Sequence, residues 1–181
     1  MSNPSGRPEQ RLAGLTETLE SHRGFAEVVA SLRAGHGGTI GGTWGAACAL
    51  AVAALSRALP DDTLAAVLPH AAEAEAFVDD LAIFGMSAVL LPTVEDLGDT
   101  GPEAGTEDPA RAERLAVVKR LTRPQADRPR LVVTSIQALL VPLPDPRAIA
   151  AGTRRLEVGG RADPEELADW LGARGWQATD A

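Results

Sequence analysis

Several residue types are almost missing from this chain. Of 181 residues one is cysteine, none is tyrosine, and aromatic side chains make up 3%. The single Cys48 excludes an intramolecular disulfide and any cysteine-cluster metal site. With so few rings, the core has to be assembled from Ala, Leu and Val. Lysine is nearly absent as well: Lys119 stands alone among 17 basic residues, the rest being arginine, which reads as coding bias rather than function. Apolar runs are short. The longest, Ala46 to Leu55, falls well below the roughly 20 residues a helix needs to span a bilayer. Residues 1–8 are polar, with Pro4 and Pro8, and lack the apolar stretch of a signal peptide. A cytoplasmic location with no membrane partner is expected.

What is present suits a globular protein. Hydrophobic residues reach 45%, enough for one α/β domain with a real core and a fragment of a second. The formal net charge of −8 argues against the whole chain gripping nucleic acid, where neutralising phosphates dominates affinity.

Apolar periodicity then sets the order of elements. Leu12, Leu15 and Leu19, then Phe25, Val28, Val29 and Leu32, predict two helices, broken at His22. Gly35-His-Gly-Gly releases the chain into a short first strand around Gly38–Gly42, and Ala46–Leu59 is an apolar helix. Leu64–Leu68 reads as a strand buried on both faces of a parallel sheet. A helix over Ala71–Phe84 turns Ala74, Phe77, Val78 and Leu81 inward. Its other face carries Glu73, Glu75, Asp79 and Asp80, a solvated surface rather than a metal site. Ala88–Pro92 is the next strand, followed by a mobile acidic loop over Thr93–Asp108. The helix Pro109–Thr122 is read with Leu115, Val117, Val118 and Leu121 inward and Arg111, Arg114, Lys119, Arg120 and Arg123 outward. Arg130–Ser135 is a strand, and Thr134 or Ser135 caps the short helix Ile136–Leu140. Prolines 142, 144 and 146 then break regular structure. Arg154–Val158 reads as a strand, Asp163 and Pro164 open a helix, and Trp176–Thr179 begins another strand. The expected divisions are N-terminal helices over 1–36, a main domain over 37–151, and the start of a second domain over 152–181.

The stretch from Gly37 to Leu55 has the outline of a phosphate-binding loop: strand, glycine turn, helix N-terminus. The working pattern is Gly, four residues, then Gly-Lys-Ser/Thr. Counted from Gly41, the last three positions are Ala46, Ala47 and Cys48, so the phosphate-neutralising lysine is alanine and the Mg²⁺-holding hydroxyl is a thiol. Without them, attraction for a polyphosphate reduces to the helix dipole, on the order of 1 kcal/mol. On spacing alone, Gly41, Gly42 and Gly45 are read most simply as a tight strand-to-helix turn.

Gly45-Ala-Ala-Cys-Ala before an apolar helix resembles the degenerate P-loop of the bacterial transcription-repair coupling factor (the Mfd family), whose N-terminal region is similar to the excision-repair protein UvrB. The likeness continues in order through Val67–Leu81, Leu90–Leu97, Ala112–Leu121, Leu131–Leu140, and Leu156-Glu-Val-Gly with Asp163–Leu171 and Gly175-Trp176. Departures include Val94 where the family has Trp, and Gln177 where Arg often follows the aromatic residue. The resemblance implies an α/β fold of P-loop NTPase/helicase type with flanking helices and a degenerate Walker A loop (Gly41, Gly45, Ala46, Ala47, Cys48). It also implies a partial α+β second domain cut early, where the nuclease recruiter UvrA docks in the family.

The expected function is therefore a non-catalytic interaction module of transcription-coupled nucleotide excision repair, with no cofactor and no metal of its own. ATP, RNA polymerase and DNA would be handled by regions of the full-length family that this chain does not contain. Arg154, Arg155, Arg161, Arg174 and Trp176 are the candidate partner contacts, since guanidinium groups pair well with carboxylates across an interface. Two other readings are carried: a P-loop ATPase or UvrB-like helicase subunit, and a stand-alone α/β regulator. His70, at the C-terminal edge of the expected sheet where α/β proteins bind ligands, is a further candidate.

Overall fold

The computed structural model describes residues 8–94, 109–143 and 145–176. These fall into two compact units, 8–94 with 109–143, and 145–176. The first unit opens with helices α1 (Pro8–Glu20), α2 (Arg23–Arg33) and α3 (Ala46–Ala58). Three strand–helix pairs follow: β1 (Leu64–Leu68) with α4 (Ala71–Ile83), β2 (Val89–Leu91) with α5 (Pro109–Leu121), and β3 (Leu131–Ser135) with α6 (Ile136–Leu140). All strand pairing is parallel, in the order β1-β3-β2, with Leu64 opposite Leu131 and Val89 opposite Val132. The protein is α/β, with a small parallel sheet and flanking helices.

The last strand in sequence lies in the middle of the sheet, and its composition matches that place. β3 is buried at every position, as a strand covered on both faces must be. One face packs Leu131 and Val133 against Ala49 and Ala53 of α3 and Ala74, Phe77 and Leu81 of α4. The other packs Val132 with Leu91 of β2 and Val117 of α5. Alanines let α3 and α4 sit close together, which is how a core with few aromatic residues is filled. A smaller cluster joins Phe25 and Val29 of α2 to Ala54 and Leu59, with Ile40 against it, so the N-terminal helices belong to the same unit as the sheet. The hydroxyl of Ser135 accepts from Ala138 N–H at 3.2 Å and starts α6, as its position predicts.

Four expectations are corrected. Residues 38–42 form no strand. Four of the six residues 37–42 are glycine, which lose the most chain entropy on ordering and offer no side chain to pack on a sheet. β1 is not buried on both faces: it is an edge strand whose Ala65 and Val67 are exposed, while Leu64, Ala66 and Leu68 face the core. On α5, Arg114 is buried and Leu115 is exposed, the reverse of the predicted phase. The Arg114 guanidinium donates to Pro92 O at 2.7 Å and Val141 O at 3.1 Å.

The fourth correction lies in the second unit. Its described residues hold two helices, α7 (Pro146–Ala151) and α8 (Pro164–Gly172). Arg154–Val158 is irregular and exposed rather than a strand, because among the described residues no neighbouring strand offers its backbone a ladder. The helix α7 was hidden by its prolines: Asp145 accepts from Arg147 N–H at 2.8 Å and Pro146 fills the first turn, where a missing N–H costs nothing. α8 uses the same device, with Asp163 accepting from Glu165 and Glu166. The expected mobile loop (from 95 onward) and the strand beginning at Trp176 lie outside the described residues, apart from Thr93, Val94 and Trp176 itself.

Candidate functional site

The glycine loop before α3 was the first candidate. Gly42 has φ 75°, and Gly45, the residue before the helix, has φ 55° and ψ −137°, a region open in practice only to glycine. The loop is tethered to α2: Ser31 Oγ donates to Gly37 O at 2.9 Å, and a Cβ on Gly38 would meet Val28 at 3.1 Å. Ala47 N–H bonds to Trp44 O at 3.3 Å and Cys48 N–H to Gly45 O at 2.9 Å. Those donors, which a phosphate cradle would present to its ligand, are taken by the loop's own carbonyls. From residue 34 to residue 56 the sequence holds no Lys or Arg. Gly41, Gly45, Ala46 and Ala47 are exposed, whereas the Cys48 thiol is half-buried against the main core. The arrangement is a capped turn, with little to hold a charged ligand.

The C-terminal edge of the sheet, the usual ligand position in α/β folds, brings two hydroxyls together. Thr93 Oγ1 and Ser135 Oγ are 2.9 Å apart, and Thr134 Oγ1 donates to Leu91 O at 3.1 Å. The crevice beside them, between Ala74, Glu75, Pro92 and Thr93, has room for only about 10 Å³, far below the roughly 300 Å³ of small-molecule sites. His70 ends β1's exit and precedes α4; its side chain is exposed and makes no cap to that helix. Among the described residues, no group of three or more His, Cys, Asp or Glu side chains is gathered as a metal would require, and no helix is long and apolar enough to cross a membrane.

The second unit carries the remaining candidates. Arg154 pairs with Glu166 at 3.1 Å and Arg155 with Glu157 at 3.1 Å. Both pairs are largely solvent-exposed, so each contributes little stability, about 0–1 kcal/mol. The Arg174 guanidinium stacks 3.9 Å over the Trp170 ring and donates to Trp170 O and Ala151 O at 3.0 and 3.1 Å. That fastens α8 to the end of α7. Arg161 shares a shallow depression with Arg155, Leu156 and Gly160. The same unit carries uncovered apolar groups: Leu156 is 57% exposed, Trp176 58%, and Val158 entirely exposed.

Compared with known proteins, the chain matches no family model, no curated sequence and no solved structure.

The structure gathers Arg155, Leu156 and Arg161 in one place. It gives Arg174 an internal task that the sequence did not signal. The buried Arg114 was missed although its signal was present: 114, 117, 118 and 121 follow the helical i, i+3, i+4, i+7 pattern, with an arginine in the first position. Burial pushes that guanidinium below the ordinary arginine range.

Proposed function

We propose that this chain is a non-catalytic protein-interaction module of the coupling-factor type, which binds a repair protein of the UvrA kind through its second unit. The observation that carries the reading is the uncovered Leu156 in one depression with Arg155 and Arg161, with Val158 and Trp176 of the same unit also uncovered. Exposed apolar groups rimmed by charge mark interaction surfaces, and Trp and Arg are the side chains that dominate interface energetics. The absence of a lysine near the glycine loop, and the internal bonding of its N–H groups, support a role without nucleotide chemistry. The P-loop ancestry of the sheet, and the status of 152–181 as the start of a docking domain, belong to the same proposal and rest on the ordered sequence likeness.

A titration of the chain with a purified UvrA-type protein tests this. Binding is expected, and Trp176→Ala or Arg161→Glu should weaken it by roughly tenfold or more. No binding at any concentration reached, or binding indifferent to both substitutions, sinks the proposal. Calorimetry with Mg²⁺-ATP at millimolar concentration should show no heat of binding; micromolar affinity would return the ATPase reading to the front.

A further inference from the structure

Among the described residues, the sheet is open along β1. Leu64 N–H donates to Arg130 O at 2.9 Å, in the register that sets Leu64 opposite Leu131. Backbone groups along a strand alternate sides with period two. Leu64, Ala66 and Leu68 therefore bond to β3, and the N–H and C=O groups of Ala65 and Val67 point outward from the edge. The side chains of the same two residues lie on the face that α5 leaves uncovered; Ala65 is exposed and Val67 is 45% exposed. Natural edges are blunted by lysine, proline, charge or a bulge. Leu64–Leu68 has no charged residue and no proline.

We propose that β1 pairs antiparallel with β1 of a second copy, about a two-fold axis through Ala66, joining two three-stranded sheets into one of six strands. The sequence is self-complementary in that register. Ala65 comes opposite Val67 of the second copy, and Val67 opposite its Ala65. Both are outward-pointing residues, so these are the hydrogen-bonded positions of an antiparallel ladder and exchange four backbone bonds. Small meets large at each of these pairs, and Leu64 meets Leu68. The acidic corners Asp61-Asp62 of two chains that each carry −8 are held at opposite ends. A one-residue slip would turn every side chain to the wrong face.

Sedimentation of the full chain across concentrations up to about 1 mM, the weak end of specific association, reads the outcome. A reversible shift from 18.8 kDa to twice that mass is expected. Val67→Lys should weaken it by about tenfold or more, because a charge on an edge opposes pairing. The double variant Leu64→Cys with Leu68→Cys gives a second reading. Within one chain these residues sit at opposite ends of β1, about 13 Å apart, so oxidation can join them only between copies. Opposed residues of a ladder lie about 4.5–5.5 Å apart, within disulfide reach. The double variant should form a covalent dimer and each single variant should not. A monomer at every concentration overturns the proposal, as does a dimer indifferent to Val67→Lys whose double-cysteine variant does not cross-link.

Discussion

Replacing Arg114 by methionine should destabilise the protein by about 2–4 kcal/mol. The substitution keeps the length of the apolar stem, which packs within α5, and removes only the guanidinium. Two carbonyls, at Pro92 and Val141, then lose donors held at 2.7 and 3.1 Å. Hydrogen bonds to a charged group contribute about 1.5–3 kcal/mol each, so the gross loss is about 3–6 kcal/mol. Against this stands the relief of no longer keeping a cation out of water at 5% exposure, which offsets part of the loss. Arg114→Lys should fall between the two, since an ammonium is a point charge that cannot span both carbonyls with one planar fork. Thermal unfolding followed by circular dichroism measures the difference. At roughly 2–4 °C per kcal/mol for a chain of this size, a drop of about 5–15 °C is expected. A midpoint within about 2 °C of wild type would refute the reasoning, because it would mean that solvent replaces the guanidinium at both carbonyls without cost.

Other consequences follow from single contacts. Leu81→Ala removes a fully buried side chain from the main core and should cost about 2–5 kcal/mol in chemical denaturation. Gly45→Ala should cost about 1–3 kcal/mol, since its φ of 55° and ψ of −137° strain any L side chain. Gly41→Ala, which has open space and no positive φ, should be near neutral; equal effects at the two sites would remove the conformational argument. Asp163→Ala should cost about 1 kcal/mol and increase amide exchange at Glu165 and Glu166, whose N–H groups the carboxylate accepts. Arg57→Gln breaks the pairs with Glu17 and Glu20 at 3.3 and 2.7 Å that join α3 to α1. Its effect should stay below about 1 kcal/mol and shrink in high salt.

The order of helices and strands was legible because each carries its own local signal. α4 shows Ala74, Phe77 and Leu81 on one stripe, α8 begins with Asp163-Pro164, and β3 opens on the apolar run Leu131-Val-Val. The misreadings share a cause. The stripe on α5 was phased on Leu115 because an arginine is ordinarily a surface residue. Only the meeting of β2's exit and α6's exit at Arg114 supplies the two carbonyls that make its burial tolerable. The segments 38–42 and 154–158 read as strands, yet a strand exists only where another strand accepts its backbone bonds, and among the described residues neither segment has one. The candidate site divides in the same way. The missing lysine and hydroxyl at Ala47 and Cys48 could be read directly, whereas the exposure of Leu156, Val158 and Trp176 depends on what fails to pack over them.

Composition and periodicity were enough to establish an α/β chain of parallel strands and amphipathic helices, with Ala, Leu and Val for its core, since helical and strand repeats are properties of consecutive residues. Tertiary structure decided which strand is central, which edge is open, and which charged group is buried. Those depend on contacts between residues far apart in the chain, such as Leu64 with Leu131 and Arg114 with Val141. No local pattern encodes the free energy of bringing such residues together.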